Sequence, residues 1–223
     1  MKTAMILAAG RGERLRPLTD SIPKPLCRIQ GIPLIEHHVM QLAQAGIHHI
    51  VINHAHLGGQ IRRHLKDGSR WGVHIDYAPE PPGGLETGGG LINALPLLGD
   101  NPFIAVNADI FTAFDYRRLP LAEVKHMHLV LVQRNPALHS HGDFGLMNNL
   151  LDNQAQDYLF SGIACYHPKI FQNLKIGRYS ITPLIREYAE RKEASAEYYE
   201  GLWFDIGSFE RLHAANKVLN TAS

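Results

Sequence analysis

Apolar residues in this chain fall into short blocks, separated by polar and glycine-rich connections, and the blocks alternate between two periods. Ala4-Met5-Ile6-Leu7, Ile50-Val51-Ile52, Val73 to Tyr77 and Phe103-Ile104-Ala105-Val106 are brief and rich in β-branched residues, as buried strands are. Between them, Pro33 to Ala45 places Ile35, Val39, Leu42 and Ala43 on one helical face, with Pro33 suited to the first turn and Gly46 to the end. Gln60 to Leu65 and Leu91 to Leu98 predict two further helices. Alternating strands and helices predict βαβ units, hence an α/β fold on a mostly parallel sheet. Ligands of such sheets sit beyond the carboxyl ends of the strands. The polar stretches that follow each strand are therefore where chemistry is expected.

Three of these stretches carry it. The first, after Leu7, reads A-A-G-R-G-E-R-L-R-P-L-T-D-S-I-P-K-P-L. Gly10 and Gly12 let the backbone turn and bring its N–H groups close to an anion. Arg11, Arg14, Arg16 and Lys24 add four cations, while Pro17, Pro23 and Pro25 exclude a regular helix and stiffen the loop. A cationic glycine turn of this kind is a site for a polyphosphate. The second stretch, Glu80 to Gly90, has five glycines in eight positions, so its backbone can lie against a flat ligand. Thr87 offers a hydroxyl there, and the next helix offers free N–H groups. In the third, Asn107-Ala108-Asp109 closes the fourth strand with a carboxylate suited to a hard divalent cation. Mg²⁺ takes only one or two protein carboxylates beside phosphate oxygens and water. The expected second ligand is Asp205 in W-F-D-I-G-S, where Ser208 caps a helix with Glu210 in its first turn.

The runs G-R-G-E-R-L-R-P-L-T and P-K-P-L resemble the opening motif of the nucleoside-diphosphate-sugar pyrophosphorylases, the sugar-1-phosphate nucleotidyltransferases. That family reads G-x-G-T-R-x-x-P-L-T and then P-K-P; Glu13 stands here where Thr is common. The resemblance covers nearly the whole chain. It implies a Rossmann-like sheet flanked by helices, in a single domain over 1–223. Residues 1–124 would hold the nucleotide, and a small β-rich lobe within 125–223 would cover the sugar phosphate and add the second metal ligand. Ala8, Ala9, Gly10, Arg11, Gly12, Glu13 and Lys24 would line the triphosphate, and Thr87 and Gly88 the nucleobase. Glu80 would accept from a base N–H, either N3–H of uracil or the two donors of guanine. In the second part, His128 to Gln133 and Asp157 to Tyr166 read as strands, and Asn135 to Gly145 as a loop carrying His139 and His141. Asn107, Asp143, Ser161 and Gly162 would meet the sugar phosphate, with Arg178, before an Ile181 to Arg191 helix, facing an acidic sugar substituent. The expected substrates are UTP and N-acetylmuramic acid 1-phosphate. GTP with mannose 1-phosphate, UTP or dTTP with glucose 1-phosphate, and a silent nucleotide-sugar-binding regulatory subunit are the alternatives.

The formal charge of +1 gives no field for nucleic acid, so the cations act locally. Two cysteines, Cys27 and Cys165, suit a reduced cytoplasm, and no apolar run reaches membrane-spanning length. Fourteen histidines are scattered without the spacing of a zinc site. Monomer and homodimer are equally compatible with the sequence. The expected chemistry needs no side-chain base, because the attacking phosphate monoester is already largely dianionic, its second pKa being about 6. Catalysis would come from positioning and charge: Mg²⁺ on Asp109 and Asp205, with Arg16, Lys24 and the loop amides screening the departing phosphates.

Overall fold

The computed structural model describes residues 2–136 and 140–221. In the first half, β1 (Thr3–Leu7) leads through the short α1 (Leu18–Ser21) and a hairpin, β2 (Arg28–Ile29) and β3 (Ile32–Pro33), into α2 (Leu34–Gln44). Then come β4 (His49–His54), α3 (Gly58–Leu65), β5 (His74–Pro79), α4 (Glu86–Leu98) and β6 (Phe103–Asn107). The second half begins with β7 (Ile110–Thr112), β8 (Met127–Gln133), β9 (Gly145–Met147), β10 (Leu150–Asp152) and β11 (Tyr158–Tyr166). It ends with α5 (Thr182–Glu190), β12 (Ala194–Tyr199), β13 (Trp203–Asp205) and α6 (Phe209–Thr221). Among the described residues no helix is long and apolar enough to cross a membrane.

Nine strands form one mixed, mostly parallel sheet in the order β5-β4-β1-β6-β11-β8-β12-β10-β9. β1 lies between β4 and β6, parallel to both, with Leu7 level with Asn53 on one side and Asn107 on the other. Both faces are covered. Ala4 and Ile6 pack with Ile35, Val39 and Leu42 of α2 and with Ile61 and Leu65 of α3. Met5 turns to the opposite cluster, with Leu91, Ala94 and Leu98 of α4 and Ile185 and Ala189 of α5. Burial on two sides is why these strands are written as continuous apolar runs. Each fully buried Ile or Leu contributes roughly 1.5–3 kcal/mol. A third cluster joins Leu15, Cys27, Ile29 and Leu34 to Ile206, Leu212 and Ala215, so α6 docks on the segment that follows β1. Asn216 of α6 reinforces that contact, accepting from the Gln30 N–H at 2.9 Å and donating to the Arg28 carbonyl at 3.2 Å.

The structure departs from the sequence reading in several places. Pro33 stands just before α2 and pairs with Arg28, rather than lying in the first turn. Helix α4 begins at Glu86, not near Leu91, so Gly88, Gly89 and Gly90 are buried helix and not open loop. The reason is a partner from the second half of the chain. Tyr179 O accepts from the Gly88 and Gly89 N–H groups at 3.0 and 3.2 Å, and the Tyr179 N–H donates to Leu85 O at 3.2 Å. Strands β9, β10 and β12 were not legible, being short or polar. His139 lies outside the described residues.

Helix propensity alone favours alanine over glycine by about 1 kcal/mol inside a helix. At Gly89, however, a Cβ would overlap the Gly177 carbonyl oxygen and come within 2.9 Å of Leu85 Cβ. Overpacking against backbone costs about 1–3 kcal/mol, so Gly89→Ala is expected to destabilise the protein despite the better helix former. Urea denaturation checks this; an unchanged or raised midpoint would contradict the packing described.

Candidate active site

The carboxyl ends of β1, β4, β5 and β6 open into a cleft of ≈ 950 Å³. Its wall takes in Ala8 to Arg14, Lys24, Asn53, Glu80, Thr87, Asn107, Asp109 and Arg178, together with Gly207 from the distant end of the chain. Most of the expected site residues are thus brought to one place. Gly12 has φ +72°, a left-handed turn that favours glycine, and a Cβ there would press on Lys24 Cβ and Thr19 Cγ2, both at 3.0 Å. Above Gly10 a Cβ would meet nothing within 4 Å, so the backbone is open to a ligand on that side. Thr19 braces the turn: its hydroxyl donates to Gly12 O at 2.8 Å, and its carbonyl accepts from Arg11 Nη1 at 2.7 Å and from His56 Nε2 at 2.9 Å.

Two carboxylates flank the loop. Lys24, mostly buried, donates from Nζ to Asp109 Oδ2 at 2.6 Å. Asp205 lies on β13, which pairs with β7 so that Asp205 is opposite Ile110, and Ile206 N–H donates to the Asp109 carbonyl at 2.9 Å. The two aspartates are therefore neighbours in space although far apart in the chain. Asp205 is paired with Arg211 in the first turn of α6. A Cβ on Gly207 would stand 3.1 Å from Asp205 Oδ1, so that oxygen borders a residue of the cleft wall. Ser208 caps α6 as expected, accepting from the Arg211 N–H at 3.4 Å.

Other expected residues have different work. Arg16 does not line the cleft; its Nε meets Asp20 Oδ1 at 2.9 Å, and Arg11 Nη2 reaches the same oxygen at 2.9 Å. The motif's remaining cation, Arg14, is one of the four loop cations read from the sequence but is not among those expected to act in the reaction. Among the described residues it has no ion-pair partner, and its guanidinium lies in the cleft wall against Gly207. The signal was present, since Arg14 occupies the fixed Arg of G-x-G-T-R. Gly88 gives its N–H to Tyr179, so it is not available to a base. Both oxygens of Glu80 already accept from the protein, from Asn53 Nδ2 and the Leu85 N–H at 2.6 Å each.

In the second half, Asp143, Ser161 and Gly162 are not in the cleft wall. They build an irregularity between Phe160 and Ile163, where the β11–β8 register shifts. Asp143 Oδ2 takes the Phe160 N–H at 2.9 Å, Ser161 Oγ takes that of Ile163 at 3.1 Å, and Gly162 has φ +83° with the Asn107 side chain against it. These polar atoms repair a bulge in the ladder. Arg178 does line the cleft, and its Nε pairs with Glu86 at 3.2 Å. Glu86 holds φ +59°, unusual for a residue with a side chain.

Behind Asp109, His38 is fully buried and ties α2 to β7. Its Nε2 donates to Ile110 O at 2.9 Å, and its Nδ1 is 3.1 Å from the Tyr116 hydroxyl. Burial pushes its pKa down from 6.5 to about 4. A histidine depressed in the folded state binds its proton more readily when unfolded, so its full stabilisation exists above pH 6.5 and is lost as pH falls towards 4. From this group the protein should lose roughly 2–3 kcal/mol between pH 7 and pH 4.5. Guanidinium denaturation at the two pH values tests the loss, and His38→Gln should reduce its pH dependence.

The nucleotidyl transferase family matches residues 3–222 of the chain. A Neisseria meningitidis protein, N-acetylmuramate alpha-1-phosphate uridylyltransferase, is 46% identical over 225 residues, covering 96% of this chain and 97% of the relative. Its namesake from Caulobacter vibrioides is 29% identical, covering 99% and 98%. A solved structure from Bacillus anthracis, assigned as a glucose-1-phosphate thymidylyltransferase, superposes with a TM-score of 0.85 at 25% identity, covering 98% of this chain and 94% of that one. The glycine turn, the cleft at the strand ends and these likenesses agree: the chain belongs to the nucleotidyl transferase family.

Proposed function

We propose that this protein transfers UMP from UTP to N-acetylmuramic acid 1-phosphate, releasing pyrophosphate and returning a cell-wall sugar to the nucleotide-sugar pool. The observation that carries the reading is a cleft in which a cationic glycine turn faces Asp109, with Asp205 tied beside it just behind the wall at Gly207, in a chain 46% identical to a relative of that name. The donor set fits Mg²⁺, which takes one or two carboxylates and completes its shell with phosphate oxygens and water. Asp109 and Asp205 would hold it, and when bound it supplies positive charge against the phosphate oxygens.

The residues of the chain do the rest. The open backbone at Gly10 receives the triphosphate, and Arg14 and Lys24 bring positive charge to the phosphates that leave. The attacking sugar phosphate oxygen needs no proton removed, its second pKa being about 6. The cleft's task is to align two mutually repelling anions. We place Arg14, rather than Arg16, in the catalytic role, because Asp20 already holds Arg16 outside the cleft wall. Arg178 faces the acidic lactyl group of the sugar in this reading.

Removing one preorganised donor typically costs about 10²–10³-fold in rate. Pyrophosphate release should therefore fall at least that far for Arg14→Ala, Lys24→Ala and Asp109→Ala, while Arg16→Ala retains most activity. Equal losses at 14 and 16 would return Arg16 to the reaction. Chelation of divalent ions should abolish turnover and Mg²⁺ restore it. The substrates are decided by five nucleoside triphosphates assayed against a panel of sugar 1-phosphates. Turnover confined to UTP with N-acetylmuramic acid 1-phosphate is expected; turnover confined to GTP with mannose 1-phosphate would overturn the assignment.

A further inference from the structure

One chain of hydrogen bonds crosses the floor of the cleft and joins three strand ends. Ala8, just after β1, donates its N–H to Asn53 Oδ1 at 2.7 Å. Asn53, the level residue on β4 and 2% exposed, donates from Nδ2 to Glu80 Oε1 at 2.6 Å. Glu80, just after β5, accepts the Leu85 N–H on Oε2 at 2.6 Å. Gly90 leaves room for the central link: a Cβ there would stand 2.6 Å from Glu80 Oε1 and 2.7 Å from Asn53 Nδ2. This accounts for a glycine inside helix α4, where helix propensity disfavours one.

The direction of the bridge is fixed from both ends. A backbone N–H can only donate, so Asn53 must turn its oxygen towards Ala8 and its NH₂ towards position 80. The Leu85 N–H also can only donate. Position 80 must therefore offer an acceptor to each side, and among side chains of that length only a carboxylate does so. Flipping the asparagine cannot relieve a change at position 80, because it would set an NH₂ against the Ala8 N–H.

We propose that Asn53 and Glu80 are a positioning pair that sets the distance between the phosphate loop at Ala8 to Gly12 and the loop at Pro82 to Thr87, so that nucleotide affinity depends on their hydrogen-bond complementarity. The proposal deepens the reading of the cleft as a nucleoside triphosphate site and rests on it. It assigns Glu80 a role that is independent of any base contact.

The test is a swap of donor and acceptor. Glu80→Gln alone puts an NH₂ against a donor at one end, and Asn53→Asp alone puts two carboxylate oxygens face to face. Made together, they restore every link: the new carboxylate accepts from Ala8 and from the new amide, whose oxygen accepts from Leu85. With UTP as the probe, each single change should raise its KM by about tenfold or more, the size expected for a buried polar group left unmatched. The KM for the sugar 1-phosphate should stay within about twofold, since that group is not held by the bridge. The double variant should return to within about threefold of the parent, a coupling that independent sites do not show. In parallel, the Ala8 and Leu85 amide proton resonances should shift in the single variants and return in the double. Should a single variant fail to fold, Glu80→Asp keeps both acceptors on a shorter stem and supplies the KM readout. A double variant as impaired as the worse single, or an Asn53→Asp protein with the parental KM, would overturn the proposal. If the parent itself transfers no UMP, the functional reading falls, and the amide resonances still decide the bridge.

Discussion

The parallel pairing of β1 with strands on both sides is the constraint from which the rest follows. It makes Leu7, Asn53 and Asn107 level, so three neighbouring loops leave the sheet at one height and along one edge. Parallel strands demand crossovers, and the crossovers α2, α3 and α4 cover the faces and bury the apolar runs. A cleft at the carboxyl edge is then geometry, not an addition to the fold. What the sequence adds is chemistry at that edge: glycine where the backbone turns and lies open, amide and carboxylate where loops must be tied.

The second half of the chain completes this edge rather than forming a separate surface. Tyr179 caps the amide end of α4, and β13 delivers Asp205 beside Asp109 by pairing with β7. Helix α6 then packs on the segment after β1, which holds the far end of the chain against the near one. Both aspartates are neutralised by cations of the protein, Lys24 and Arg211. Removing one partner from such a half-buried pair leaves a charge uncompensated, so these residues matter to the fold as well as to the site.

The legible part of the sequence was the part in which local pattern and tertiary role agree. The strand and helix blocks of the first half and the glycine turn fall in this class, whereas the pairing of Asp109 with Asp205 was legible through the family resemblance and not through local pattern. What could not be read depended on partners far away in the chain. Gly88 to Gly90 look like a flexible loop because glycine is a poor helix former, and only the Tyr179 carbonyl and the Asn53–Glu80 link explain why helix α4 begins there. Asp143, Ser161 and Gly162 are expected at the sugar phosphate from the family resemblance; in the structure Asp143 and Ser161 take amides freed by a register shift in β11, and Gly162 packs against the Asn107 side chain. Arg16 and Arg14 have the same chemistry two positions apart. Which of them faces the cleft depends on where Asp20 stands.

The bracing of the glycine turn by Thr19 has a thermodynamic consequence. One residue anchors Gly12, Arg11 and His56, so the turn is already ordered through its own side chains. Association normally costs about 0.5–1.5 kcal/mol for each flexible side chain that must be immobilised. A turn whose entropy was surrendered during folding avoids much of that loss, so under the proposed reading the attraction between its amides and an incoming anion would pass almost undiminished into affinity.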